Sequence, residues 1–341
     1  MPQKNQEDNQ QEEVSALIAV SGGLDSICLA YGLLSALNLK REPRKTSSKI
    51  DTLLNNFIDS HKLKEVELAY IDHSQRDDTE LDIEVIKELA KKFPVKLHIA
   101  KLNLPKDSSE DTLRKARYED LNKIMSKNNL DKLITAHHAD DVIETAVINL
   151  KRGTGPKGLS SLRHHQDGIW RPFLSKLNDG QIVTKEDLKQ YAEENNLSWY
   201  EDSTNQSSKY LRNRIRKSIQ KTLTKDNKEE LLLILSSSQK ISSETDQETE
   251  NIIDSLLDSN SDLKNCFIRS DFLTLDEQLQ KHILHSLISQ YGFDVNRDSV
   301  ERAIKFIQTA KTKKTLQLKG CDIYIPHKDR FQIYSLARQA D

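Results

Sequence analysis

VSALIAVSGGLDSICLAYGLLSAL, residues Val14–Leu37, decides the fold. Its first seven residues are apolar but for Ser15, partly β-branched and bounded by Ser21-Gly22-Gly23, so they predict a short buried strand. From Leu24 to Leu37 the apolar residues recur at helical spacing, which predicts a helix. Strand, tight turn and helix place backbone N–H groups and the positive end of a helix dipole where they can hold a phosphate. The two glycines allow the anion close to the backbone. The turn is neither Gly-x-Gly-x-x-Gly nor a Walker loop, since no Lys follows the second Gly, and this disfavours a dinucleotide fold and a P-loop NTPase. A plain glycine turn capped by Ser or Asp is the alternative.

The same alternation continues downstream. Val66–Ile71, Val95–Ala100 and Lys132–Ala136 read as extended, and Asp78–Phe93, Ser109–Asn128 and Asp140–Leu150 as helical. This order predicts an α/β fold with a doubly wound parallel sheet. Lys40–Lys49 reads as a loop leading into a short insertion. After Leu150 come a Gly-rich loop, Gly153–Gly158, then Arg171-Pro172 and a helical stretch from Thr184 to Asn195, and the sheet domain is expected to end near here. From about Ile215 the periodicity is mostly helical, with Ser236–Glu250 read as a mobile connection. Thr315–Lys319, Cys321–Ile325 and Phe331–Tyr334 alternate like short strands. The expected organisation is a disordered tail over 1–13, a sheet domain over 14–220 and a mainly helical domain over 221–341.

The chain has 341 residues, enough for about two domains of ~150 residues each. With 36% hydrophobic and 30% charged residues it can form a core under a very polar surface, so global disorder is excluded. The longest apolar runs, Ala16–Val20 and Leu231–Leu235, fall far short of the ~20 residues that cross a bilayer, and a cytosolic chain with no membrane partner is expected. Cys28, Cys266 and Cys321 are far apart and odd in number, which removes support for disulfide, thiol-transfer and zinc chemistry. The formal net charge of −2 hides strong patterning. Lys151–Lys176 carries a net charge of +5, Lys209–Lys225 of +7 and Asp226–Asp262 of −8. Each run alone reads as a solvated face, but two basic stretches bracketing a site favour a polyanion.

Ser21-Gly22-Gly23-Leu24-Asp25-Ser26 on a first strand-to-helix turn resembles the pyrophosphate loop of the N-type ATP pyrophosphatases, the PP-loop family with an adenine nucleotide alpha-hydrolase-like fold. Further pieces narrow the likeness: Ile71-Asp72-His73 with Arg76, Arg114 and Arg117-Tyr118, and Thr135-Ala136-His137-His138-Ala139-Asp140-Asp141 with Glu144-Thr145. Lys151-Arg152-Gly153-Thr154-Gly155, Arg171-Pro172-Phe173-Leu174, Glu201-Asp202-Ser203-Thr204-Asn205 and Arg212-Asn213-Arg214-Ile215-Arg216 follow in order. Together, from about Val14 to Lys221, they resemble the tRNA(Ile)-lysidine synthetases. The resemblance implies ATP and Mg²⁺, free L-lysine, and an isoleucine tRNA with a CAU anticodon. ATP would adenylate the carbon-2 oxygen of the wobble cytidine, and the lysine ε-amine would displace AMP to leave lysidine. The 38–61 segment is longer than usual, Ser74-Gln75 replaces the usual Gly-Leu, and longer members carry a second C-terminal domain. Oligomeric state stays open, a homodimer being one option.

The residues permit these roles, each with an alternative. Asp25 can hold Mg²⁺ that bridges phosphates, or cap the helix. Asp140, Asp141 and Glu144 crowd the first turn of a helix, where they cap it or, for Asp141 and Glu144 on one face, grip an ammonium. Asp141 or Asp140 is the expected acceptor of the lysine proton. His73 and Arg76 follow the second strand, and His137 and His138 the fourth, positions where open α/β sheets place ligands, although His73 and Arg76 also suit a polar surface. Arg114 and Arg117 lie three apart and clamp an anion or pair with Glu110, Asp111 or Asp120. Arg212, Arg214 and Arg216 alternate along an extended segment, or Arg212 and Arg216 share a helix face; either suits a phosphate backbone. Arg152 and Asp202 enter as substrate residues through the resemblance alone. Trp170 and Trp199 read as core anchors rather than base platforms.

Overall fold

A computed structural model describes residues 13–39, 48–73, 79–102, 104–105, 108–152, 156–159, 162–166, 168–175, 182–200, 211–259, 261–290 and 295–335. Two compact units divide the chain, Met1–Ser242 and Ser243–Asp341. The first begins β1 (Val14–Val20), α1 (Leu24–Leu39), α2 (Lys49–Ser60), β2 (Leu63–Asp72), α3 (Thr79–Lys92), β3 (Leu97–Lys101), α4 (Glu110–Asn128), β4 (Lys132–Ile134) and α5 (Ala139–Lys151). There follow a helical turn α6 (Pro156–Leu159), β5 (His165–Gln166), β6 (Ile169–Trp170), a 3-10 turn at Pro172–Leu174, α7 (Lys185–Glu194) and α8 (Leu211–Thr222). The division between the units falls within α9 (Lys225–Leu256).

The strand order is β3-β2-β1-β4-β6-β5, parallel except for the β5–β6 hairpin. This is the doubly wound sheet that the β/α alternation predicts. From β1 the chain winds outward through β2 to β3, then crosses to β4 on the other side of β1, so the winding reverses between β1 and β4. Open α/β sheets bind ligands outside the carboxyl ends of the strands at such a reversal. The glycine turn after β1 and the His137-His138 segment after β4 both stand there.

α1 is enclosed almost all round: Leu24, Ile27, Cys28, Leu29, Ala30, Tyr31, Leu33 and Leu34 are buried. One side is covered by α2, whose amphipathic face buries Ile50, Leu53, Leu54, Phe57 and Ile58, at roughly 1.5–3 kcal/mol for each fully buried large side chain. A capping box between Ser48 and Asp51 starts α2, and Tyr191 of α7 donates to Asp51 Oδ1 at 2.7 Å. A Cβ on Gly32 would lie 2.3 Å from Leu54 Cδ1, so alanine there would force the buried Leu54 tip to move. The long segment before β2 therefore supplies a wall for the helix that carries the glycine turn.

The sequence reading places no strand between Leu150 and Thr184, yet β6 adds to β4 and β5 pairs with β6; two-residue strands are too short to show periodicity. One expectation is corrected. Ser236–Glu250 is not a mobile connection but the middle of α9. Leu232, Leu235, Ser236, Gln239, Thr249, Ile253 and Leu256 are its buried residues, and polar Ser236, Gln239 and Thr249 interrupt the apolar pattern that would have revealed it. Gln239 Nε2 donates to the Leu162 carbonyl at 2.8 Å, and Thr249 Oγ1 to that of Thr245 at 2.7 Å, which lets them be buried. Trp170 is a core anchor, buried edge-on against Phe57, and Trp199 packs half-buried at the same core.

The second unit adds β7 (Cys266–Ile268), α10 (Arg269–Thr274), α11 (Glu277–Ser289), α12 (Arg297–Thr309), β8 (Thr315–Gln317), β9 (Cys321–Tyr324) and β10 (Arg330–Ser335). The last three match the strands read from the sequence. With β7 they form a four-stranded antiparallel sheet in the order β7-β10-β9-β8, with a core of Phe267, Phe272, Ile283, Ile304, Ile323 and Phe331. Among the described residues no helix is long and apolar enough to cross a membrane.

Candidate active site

The glycine turn is shaped by its own side chains. Ser21 N–H donates to Ser26 Oγ and the Ser26 hydroxyl to the Gly23 carbonyl, both at 3.0 Å. Gly22 has φ +77°, and a Cβ there would lie 2.8 Å from Cα and Cβ of Asp82. Asp82 is itself fixed, being buried and accepting from Tyr70 Oη at 3.2 Å. The Gly22 carbonyl accepts the Tyr200 N–H at 3.0 Å. Backbone conformation and close approach thus both require glycine at 22. Leu24 is buried and turns into α1, and Asp25 in its first turn faces the site.

Around that turn, among the described residues, four carboxylates meet five cationic side chains. Asp25 Oδ1 accepts from Lys185 Nζ at 2.6 Å. Asp140 accepts the Lys185 backbone N–H at 3.0 Å and Lys228 Nζ at 2.9 Å. Asp141 accepts the His138 backbone N–H at 3.0 Å, capping α5, and Arg212 Nη2 at 2.8 Å. Glu144, only 3% exposed, accepts Arg212 Nε at 3.0 Å and Arg216 Nε at 2.5 Å. The buried His138 ring lies in the middle, 3.5–3.6 Å from carboxylate oxygens of Asp25, Asp140 and Asp141.

Burial opposes charge on His138, but Asp141, Asp140 and Asp25 overcome it and raise its pKa to about 10. Burial raises the carboxyls of Asp25, Asp140 and Asp141, yet His138 and the neighbouring cations leave all three below the usual carboxylate value. His137 differs sharply from its neighbour. Burial lowers its pKa to about 3, with Arg171, Arg212 and Arg114 contributing in the same direction, and its Nδ1 lies 2.9 Å from Thr135 Oγ1. One histidine is thus a fixed cation beside the glycine turn, and the other a neutral ring facing arginines.

The sequence-derived candidates separate. Asp25, His137, His138, Asp140, Asp141, Glu144 and Arg212 come together at the reversal between β1 and β4. Arg114 acts electrostatically on His137, and Arg117 on α4 lies within the influence of Arg212. Both arginines pack over the Tyr118 ring, at 5.0 and 5.4 Å. His73 follows β2 and is half-buried. Arg214 points outward, exposed, on the side of α8 opposite Arg212 and Arg216. Arg152 caps the far end of α5, about 18 Å along the helix from Asp140. Arg76 and Asp202 lie outside the described residues, as do Gly153–Gly155 and residues 1–12.

Asp141 and Glu144 share a face as their spacing requires, but the cations they hold are Arg212 and Arg216. Lys185 and Lys228 escaped the sequence reading. Their partners are 160 and 88 residues away, and each lies in an ordinary charged helical stretch, so no local signal marks them.

Asp25 suits a hard divalent cation: an oxygen donor, one-third exposed, that already draws an ammonium to 2.6 Å. Among the described residues no group of three or more metal-type ligands forms, so such an ion would take its remaining oxygens from phosphate and water. Cys28, one turn into α1, is buried, donates to the Leu188 carbonyl at 3.3 Å and has its thiol pKa raised to about 12 by burial. It is not a nucleophile near neutral pH.

A glycine turn at the reversal of a parallel sheet, followed by a helix with a part-exposed carboxylate in its first turn, is the arrangement of a ligand-binding α/β domain. A family profile described as a PP-loop domain matches residues 2–223, and the chain belongs to that family. Over 315 residues it is 27% identical to the tRNA(Ile)-lysidine synthase of Bdellovibrio bacteriovorus, covering 91% of this chain and 89% of that one. It is 30% identical over 212 residues to the tRNA(Ile)-lysidine synthase of Thermotoga maritima, covering 60% of this chain and 44% of that relative. The chain thus spans less than half the length of the Thermotoga protein. A solved U34-tRNA thiolase from Methanococcus maripaludis superposes with a TM-score of 0.47 at 15% identity, covering 67% of this chain and 72% of that one.

Proposed function

We propose that this chain is an ATP-dependent ligase that joins L-lysine to the wobble cytidine of an isoleucine tRNA with a CAU anticodon, forming lysidine. The observation that carries this is the nearly end-to-end similarity to the Bdellovibrio tRNA(Ile)-lysidine synthase, across both compact units. The site's chemistry is consistent with it. An amide-like carbonyl is a poor electrophile until its oxygen becomes part of a leaving group, and transfer of AMP to the cytidine carbon-2 oxygen achieves this. The amides of the turn after Ser21 and the N-terminus of α1 would bind the pyrophosphate as it departs. A magnesium ion held by Asp25 would add its charge to the same oxygens.

The second step needs a neutral lysine amine near the activated base. Asp140 and Asp141 already hold cations and have depressed pKa values, so in this arrangement they are weak proton acceptors, and the incoming lysine would have to exchange with Lys228 or Arg212 to reach them. The cytidine must be splayed out of its loop to be reached, as single-stranded RNA targets commonly are. A sulfur-transfer reading, which needs a reactive thiol, is not favoured by the buried Cys28.

The test is mass analysis of the wobble nucleoside after incubation with ATP, lysine and the tRNA, with pyrophosphate release measured in parallel. Lysidine accumulates in the wild type and not in Asp25→Ala, whose melting curve stays intact. A tRNA recovered unmodified, or full activity in Asp25→Ala, refutes the proposal or the role of Asp25 respectively.

A further inference from the structure

We propose that Lys185 is a phosphate-binding residue of the nucleotide site: it salt-bridges Asp25 here and moves to the polyphosphate when the nucleotide's divalent cation takes Asp25. This rests on the reading of the glycine turn as an ATP site.

The placement of Lys185 argues for a fixed base and a free tip. It is the first residue of α7, where Thr184 accepts from the Asp187 N–H and Asp187 accepts from the Thr184 N–H. Its own backbone N–H is bound to Asp140 Oδ2 at 3.0 Å. Main chain at 185 is therefore tied both to its own helix and to the first turn of α5. The side chain reaches to the first turn of α1, where Nζ lies 2.6 Å from Asp25 Oδ1.

Exposure separates this pair from the others in the site. The side chains of Lys185 and Asp25 are 44% and 32% exposed, against 15% and 13% for Lys228 and Asp140 and 24% and 4% for Arg212 and Glu144. The buried pairs would leave uncompensated charge if opened. A half-exposed lysine pair gains little from its partner and is readily exchanged. Asp25 is also the carboxylate best placed to receive a divalent cation beside the turn, and that cation must displace a monovalent ammonium already on Oδ1. Lysine on a flexible stem, unlike the arginines beneath it, can turn aside while remaining within reach of the turn. There it meets the negative charge that arrives with the cation.

The two halves of the exchange give opposite signs in one variant. Calorimetry on the full chain would measure Mg²⁺ alone, then ATP with excess Mg²⁺, for wild type, Lys185→Met and Lys185→Arg. Losing one charge-assisted hydrogen bond to phosphate corresponds to about tenfold, so Lys185→Met should bind MgATP about tenfold more weakly. The same variant should bind Mg²⁺ alone several-fold more tightly, because Asp25 no longer has a competing cation, and Lys185→Arg should recover most of the MgATP affinity. A purely structural lysine would weaken both ligands together or neither, and either result overturns the assignment. A wild type that binds MgATP normally while Lys185→Met is unchanged refutes this inference alone. A wild type that binds no ATP removes the nucleotide site, and the inference with it.

Discussion

His138 should give the first unit a distinctive alkaline weakness. Its ring is buried among Asp25 from α1 and Asp140 and Asp141 from α5, with Lys185 of α7 on the far side of Asp25, and its pKa rises from 6.5 to about 10. A base whose pKa is higher folded than unfolded contributes stability fully present below the unfolded value and lost as pH rises toward the folded one. Between pH 6.5 and 8.5 the unfolded chain gives up this proton while the folded chain keeps it, which removes about 2 kcal/mol. Urea titrations at several pH values in that window would measure it by tryptophan fluorescence, since both tryptophans, Trp170 and Trp199, belong to the first unit. His138→Gln, whatever its absolute stability, should flatten the decline. Cys28 and Cys321 are both raised from 9.0 and act above this window. A wild type equally stable at both pH values, or a variant with the same slope, would refute the charged-ring account.

The acid side has another owner, and other residues give independent checks. His137 is held neutral in the fold, so as pH falls below 6.5 the unfolded chain takes up a proton the folded chain refuses; stability should drop, and His137→Asn should reduce the drop. Gly22→Ala meets Asp82 as well as an unfavourable φ, whereas Gly168→Ala has the φ alone, +74° in open space. Thermal melts should show Gly22→Ala the more destabilising by about 1–3 kcal/mol, and equal losses would discard the Asp82 contact. Arg214→Ala should weaken tRNA binding and lower its salt slope by about one while leaving the melt unchanged. Arg212→Ala should instead destabilise the fold, by about 3 kcal/mol, because Asp141 and Glu144 lose a buried partner; an unchanged melt would contradict the ion-pair geometry.

Much of the sheet domain was legible because its signals are local. Val14–Val20 is apolar but for Ser15, the glycine turn follows at once, and β2, β3 and β4 are each followed by a helix of readable length. The same locality placed Asp25, His138, Asp140 and Asp141, since each sits next to the end of a readable strand. Pairings were not legible. Nothing in Lys185 or Lys228 distinguishes them from other lysines on charged helices until α7 and α9 are brought against the first turns of α1 and α5. The role of Arg212 was drawn toward RNA by the basic run around it, whereas its position on the same face as Arg216 turns both toward Glu144. α9 was missed where glutamine and threonine replace apolar residues on its buried side, because satisfied polar groups leave no hydrophobic trace.

The enclosure of α1 by the sheet, α2 and α7 bears on how the site discriminates among ligands. A helix packed on nearly every side has little room to roll or slide to suit a guest, so most of the entropy of ordering the glycine turn is settled during folding and adds little binding penalty later. Such a mould treats alike every molecule ending in the same chain of phosphates. Selectivity for one base or sugar over another must therefore come from groups farther along the rim, where side chains still have torsions left to lose.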